Sequence, residues 1–116
     1  MTIRECYKKM NGDFDDVMQR LGSESFIQRF MLRFLDDTSF QMIKDGIANG
    51  DVDLAFRGAH TLKGVCSNLG FSKLCEASSE LTEILRGRKL EGYEAAFNKV
   101  ETQYQITVEA IQSLNE

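Results

Sequence analysis

Apolar residues recur at three- and four-residue intervals along most of the chain, and no stretch alternates with the period of two that a strand requires. Phe26, Ile27, Phe30, Met31, Phe34 and Leu35 keep the helical spacing closely, and beyond Asp36-Asp37 the stripe resumes, shifted in phase, at Phe40, Ile43 and Ile47. The chain contains no proline, and no glycine follows Gly22 until Gly46. This segment therefore reads as one long helix capped at Ser23 or Ser25, with room for a bend near Asp37, and ended at Asn49-Gly50. Asp51 caps the next helix, which places Leu54, Ala55, Gly58, Leu62, Val65, Cys66 and Leu69 on one broad face. Gly70 has the position of a left-handed terminator. Phe71 to Arg86 then turns Phe71, Leu74, Cys75, Ser78, Leu81 and Leu85 inward, and Gly87 closes it. From about Glu91 to Leu114 the residues Tyr93, Ala96, Phe97, Val100, Tyr104, Val108, Ile111 and Leu114 predict a last amphipathic helix about 36 Å long.

The N-terminal residues predict shorter pieces. Thr2-Ile3-Arg4-Glu5 fits a capping box and starts a helix to about Met10, Asn11-Gly12 makes a turn, and Asp13 to Leu21 forms a second short helix stopped by Gly22. Helices this short are marginal alone and are expected to lie across the others and cap their core. The predicted class is all-α: an antiparallel up-and-down four-helix bundle, with its core over about 24–115, and one or two short N-terminal helices packed on it. At 116 residues the chain has the size of one domain, 1–116, with Met1 and Glu116 as natural ends.

Composition narrows the function classes. The net charge of −4 with no basic stripe argues against nucleic acid as a partner. No apolar run reaches the about 18 residues of a membrane span, and the N-terminus lacks a signal-peptide core, so the expected location is the cytoplasm. Cys6, Cys66 and Cys75 have no C-x-x-C spacing and read as free thiols, two of them on core faces. With a single histidine and no close cysteine pair, no metal site can be built. There is no phosphate-binding loop and no carboxylate pair set for acid-base work.

The single histidine then becomes the candidate. On the helical projection His60 points away from the apolar face, with Leu62 and Leu69 almost opposite, while Asp53, Phe56, Arg57, Lys63, Gly64 and Ser67 share its side. Neither packing nor helix propensity asks for histidine at an exposed mid-helix position. A neutral imidazole offers one ring nitrogen as a nucleophile. Lys63, three residues on, would hold its ammonium near an anion carried on the ring, and Gly64 removes a side chain where a partner must approach. Phe56, about 40° from His60, is either a docking contact or a ring folded back on the helix of Leu81 to Leu85. Arg57 reads as solvated. Arg86 either reaches the acceptor region or serves as a partner of the helix C-terminus.

The run His60-Thr61-Leu62-Lys63-Gly64 followed by Leu69-Gly70 resembles the signature of histidine-containing phosphotransfer (HPt) domains. The resemblance extends from Phe30-Met31-Leu32-Arg33-Phe34-Leu35, through the Gly50-Asp51 turn, to the Leu74 to Leu85 helix. It implies His60 as phosphoacceptor, Lys63 beside the phosphoryl group, and Gly64 as room for a receiver domain; Phe56, Arg57 and Ser67 are candidate docking contacts by their place on the His60 face. Many members carry Glu or Gln next to the leucine of the following helix; this chain has Thr82 after Leu81, which puts in question a hydrogen bond from there to the imidazole. Thr82 and Arg86 remain candidate contacts from the second helix. The implied activity is that of a monomeric phosphoryl carrier without kinase activity of its own. It exchanges phosphate with an aspartate of receiver domains in response regulators or hybrid kinases, and the Mg²⁺ is expected only in the receiver. Two alternatives stay open: a helical module that binds receivers without phosphotransfer, and the phosphoacceptor domain of a chemotaxis-type histidine kinase, which Phe56-Arg57-Gly58-Ala59-His60-Thr61-Leu62-Lys63-Gly64 also resembles.

Overall fold

Capping side chains and left-handed residues set most of the helix boundaries, at nearly the places the residue pattern predicts. The computed structural model describes residues 1–115, which are helical with no strand among them; the expected domain end at Glu116 lies outside the described residues. Helix α1, Ile3–Met10, opens on the capping box: the Thr2 Oγ1 accepts from the Glu5 amide at 3.1 Å and the Glu5 carboxylate accepts from the Thr2 amide at 2.9 Å. Asn11 ends it at φ 53°. Gly12 follows where a Cβ would stand 2.7 Å from the Gly70 carbonyl, so only glycine lets the turn approach so closely. Helix α2, Phe14–Leu21, is capped by Asp13 and stopped by Gly22.

The long helix expected from Ser23 to Asn49 is instead two helices, α3 (Glu24–Phe34) and α4 (Ser39–Asn49). The reason is local. The amides of Leu35, Asp36 and Asp37 donate to the carbonyls of Leu32, Arg33 and Phe34, a tightened turn that exhausts the α3 ladder. The Asp37 carboxylate then accepts from the Ser39 amide at 2.8 Å, giving the backbone a side-chain partner in place of the next helical carbonyl. Aspartate at this position breaks the helix without any glycine or proline.

Helix α5, Val52–Leu69, begins at Asp51, whose carboxylate accepts from the Leu54 amide, and ends at Gly70. Helix α6, Ser72–Leu85, follows at once. Helix α7, Glu94–Gln112, starts later than the apolar pattern implies, after a connection in which Arg88 and Gly92 both take positive φ, and it finishes in a 3₁₀ turn at Ser113–Asn115.

Helix α5 packs against α4 on one side and α6 on the other, α6 packs on α7, and α1 lies on α7. The α4–α5 contact is backbone on backbone: a Cβ on Gly58 would stand 2.8 Å from both the Ser39 carbonyl and the Ile43 amide, and one on Gly46 would collide with Ala55. A chain of aromatic rings, Phe14, Tyr7, Phe71, Phe34, Tyr104, Phe40 and Phe97, runs through the interior with successive centroids 4.2 to 6.0 Å apart. The break at Asp37 serves this chain, because it brings Phe34 of α3 and Phe40 of α4 to the same ring, Tyr104 of α7. Tyr7 ties α1 to the end of α5 by donating its hydroxyl to the Leu69 carbonyl at 2.6 Å. Burial pushes that phenol well above its usual range. Cys6 and Cys66 are buried free thiols and Cys75 is half-buried; burial raises the Cys66 thiol strongly.

Candidate functional site

Helix α5 carries His60 on the side turned away from α4, and the division of its faces follows the projection closely. Ala55, Gly58, Ala59, Leu62, Cys66 and Leu69 are buried, Leu54 and Val65 are partly covered, and His60 is exposed. Among the described residues its ring makes no hydrogen bond. Gly64, one turn on, is also exposed, and apart from its own helix backbone nothing lies within 4 Å of where its Cβ would be. Lys63 is half-buried and forms no ion pair with a described residue. Its carbonyl receives a long contact from the Cys75 thiol, at 3.7 Å, which fixes this flank of α5 against α6.

Phe56 lies alongside the imidazole. It is half-buried, and its ring lies parallel to the imidazole, 8° between planes and 6.0 Å between centroids. Over it stand two guanidiniums, those of Arg86 at 5.3 Å and Arg88 at 4.7 Å from the ring centroid. Arg57 is exposed beside this group, at the rim of a shallow hollow shared with Asp53, Phe56 and Arg88. Ser67 is exposed, and its carbonyl accepts from Arg20 of α2 at 3.2 Å.

Thr82 does not face the imidazole. It is fully buried, and its hydroxyl donates to the Ser78 carbonyl one turn back at 2.6 Å, a bond that occupies the side chain within its own helix. The residue after it faces outward instead. Glu83 takes the Arg86 guanidinium on both carboxylate oxygens, with the shortest contact 2.9 Å, and that pairing holds the Glu83 carboxyl below its usual range. Arg86 is thus both the C-terminal residue of α6, with its amide on the Thr82 carbonyl, and a neighbour of the Phe56–His60 stack.

Glu83, Arg88 and Asp53 are the members of this cluster that the residue pattern did not assign. Asp53 was placed on the His60 face, and it pairs with Arg88. Arg88 reaches it from a left-handed backbone position, φ 63°, which no spacing rule announces. The other flank of α5 is different in kind. There Leu21, Phe30, Val65 and Leu69 form an apolar hollow of about 370 Å³ with Arg20 and Arg33 at its edge. Among the described residues no three His, Cys, Asp or Glu side chains converge as a metal site would need, and no helix is long and apolar enough to cross a membrane.

Residues 30–114 match the family model of the Hpt domain. The chain belongs to the Hpt domain family. The match covers α4 to α7 and the C-terminal part of α3, so it extends past the resemblance carried by the His60 motif into the last helix. Searches among curated proteins and solved structures returned no match. Hpt domains are phosphocarriers of phosphorelays rather than enzymes, and this chain is a histidine phosphotransfer module in that general sense.

Proposed function

We propose that this Hpt domain carries a phosphoryl group on His60, accepting it from an aspartate of a receiver domain and passing it to another. The observation that carries the reading is the surface around the ring: an exposed imidazole in mid-helix, Lys63 one turn away with no ion pair among the described residues, and open space beside Gly64. Transfer runs between two facing proteins. The lone pair of one ring nitrogen forms the phosphorus–nitrogen bond as the acyl phosphate bond to the aspartate breaks. The carboxylate leaves with its electron pair, while the second ring nitrogen keeps its proton. The step needs in-line approach and charge compensation more than covalent help. Lys63 supplies positive charge on this side, and the Mg²⁺ and acidic pocket of the receiver supply the remainder. Gly64 leaves that pocket room, and Phe56, Arg57 and Ser67 border the contact.

A carrier needs no nucleotide site. The domain therefore works without a cofactor of its own and without kinase activity, as a monomer in the cytoplasm, meeting receiver domains in turn. Incubation with a phosphorylated receiver, followed by measurement of acid-labile label, tests this directly. The wild-type domain is expected to take label and His60→Gln to take none. A wild-type domain that binds the receiver but never carries label would overturn the reading in favour of a binding module.

A further inference from the structure

Two ion pairs frame the Phe56–His60 stack, and both put a guanidinium over the same ring. Arg86 is held by Glu83 through Nε at 3.1 Å and Nη2 at 2.9 Å, and Arg88 is held by Asp53. All four side chains are more than half exposed, Arg86 at 54% and Glu83 at 60%, so water competes for each pair and neither is held tightly. Phe56 adds a second attraction that does not depend on the carboxylate: the Arg86 guanidinium lies 5.3 Å from the centroid of a ring whose other neighbour, 6.0 Å away, is the imidazole.

We propose that Glu83 is a positioning residue that holds Arg86 in reserve: it neutralises the guanidinium in the resting domain and yields it when a phosphoryl group arrives on His60. The inference rests on His60 being the acceptor. A phosphoryl group carries nearly two negative charges and three acceptor oxygens where the carboxylate carries one charge, and the planar guanidinium fork suits it at least as well. The exchange requires only that the Arg86 side chain swing across Phe56. Its backbone stays in place as the end of α6, with its amide on the Thr82 carbonyl. In the loaded domain Arg86 and Lys63 then share the phosphoryl charge from two helices, and Glu83 is left without its partner.

The consequence is a set of lifetimes. Phosphohistidine is lost when water attacks phosphorus, the phosphorus–nitrogen bond breaks, the ring nitrogen takes a proton and inorganic phosphate leaves. A guanidinium paired with the phosphoryl group stabilises the loaded state and slows this loss. The domain is labelled with potassium phosphoramidate as a small phosphodonor, the donor is removed, and decay is followed for the wild type, Glu83→Gln, Arg86→Gln and the double variant. Each variant's fold is checked by circular dichroism. The side-chain Nε–H resonance of Arg86 is followed in parallel by ¹⁵N NMR.

Arg86→Gln is expected to shorten the lifetime about threefold and Glu83→Gln to lengthen it about twofold, as befits exposed charge pairs. The double variant should decay as Arg86→Gln does, because a gate has no effect without the group it holds. The Arg86 resonance should move on labelling of the wild type and stay still in His60→Gln. Label on His60 with lifetimes indifferent to Glu83, a lengthening by Glu83→Gln that persists without Arg86, or an Arg86 resonance that ignores labelling would overturn the gate alone. A wild-type domain that takes no label on His60 would overturn the carrier reading and this inference together.

Discussion

Two glycines six residues apart on α5 are expected to respond to the same substitution with opposite signs. Alanine in place of glycine in a helix gains about 1 kcal/mol from lost backbone freedom in the unfolded chain. At position 64 nothing outside the helix backbone lies within 4 Å of the new methyl, so Gly64→Ala should keep that gain whole. For a domain of this size about 1 kcal/mol raises the melting temperature by about 4 °C. At position 58 the methyl would sit 2.8 Å from the Ser39 carbonyl and 2.8 Å from the Ile43 amide, both of them backbone of α4 and unable to step aside singly. Forcing α4 and α5 apart costs about 1 to 3 kcal/mol by the measure of overpacked cores, which exceeds the propensity gain through most of that range. Gly58→Ala should therefore lose about 1 kcal/mol net. Urea unfolding followed by far-UV circular dichroism measures both, provided the denaturant slope is unchanged between variants. A Gly58→Ala domain as stable as Gly64→Ala would refute the close approach of α4 and α5. A destabilised Gly64→Ala would refute the open surface on which the carrier reading stands.

Gly64→Gln should fold normally and pass phosphate more slowly, because the added side chain occupies the receiver's approach; unchanged transfer rates would contradict the role of that space. Lys63→Ala should slow transfer while altering stability by less than about 1 kcal/mol, since its ammonium pairs with no described carboxylate. Unfolding of that variant would mean that the lysine serves packing. Thr82→Val should leave transfer unchanged, as its hydroxyl is spent on the Ser78 carbonyl; a loss of transfer at constant stability would return Thr82 to the site. Tyr7 gives a pH dependence: with its folded phenol raised above the unfolded value, the stability it contributes is complete below about pH 10 and is lost as pH rises beyond that. Tyr7→Phe should cost about 1 to 2 kcal/mol at neutral pH, by stranding the Leu69 carbonyl, and should flatten the alkaline fall; an unchanged alkaline slope would assign that fall to other groups.

The helical class and the faces of α5 were legible because both rest on periodicity. Burial of Ala55, Leu62, Cys66 and Leu69 and exposure of His60 follow from 100° per residue alone. The caps at Thr2 and Asp51, and Ser23 as one of two candidates, were legible because a short polar side chain before an apolar run has few other uses there, whereas Asp13, counted as the first residue of its helix, is instead its cap. The break between α3 and α4 escaped because Asp37 acts through one hydrogen bond to Ser39, and an aspartate in mid-pattern otherwise looks like solvated surface. The phase shift of the apolar stripe at Phe40 was the trace it left. Gly58 was placed on the apolar face of its helix and Gly46 was given no role, whereas both are contact points, since a contact between two backbones depends on a pairing of helices that no single helix displays. Around His60 the same division holds. Residues on the histidine's own helix were found by projection, while Glu83 and Arg88 come from another helix and from a left-handed turn, where the angle between neighbouring helices decides what meets what.

That angle also gives the site its asymmetry. His60 stands on a ridge with unlike flanks: toward α6 lie Lys63, Glu83, Arg86 and the ring of Phe56, and toward α2 and α3 lies the apolar hollow of Leu21, Phe30, Val65 and Leu69. A surface with charge on one side and apolar area on the other has a single favourable orientation for a partner that carries both, and a partner turned end for end would bury Arg86 against apolar surface. In-line phosphoryl transfer needs just such a fixed orientation, because the incoming nitrogen, the phosphorus and the leaving oxygen must align. Helix α5 is held rigid for this by the backbone contact with α4 below and by Tyr7 and Asp13 at its C-terminal end, where the Asp13 amide donates to the Gly70 carbonyl at 2.9 Å. The N-terminal helices therefore contribute to the site by fixing the end of the helix on which the imidazole stands, and α2 lines its apolar flank with Leu21.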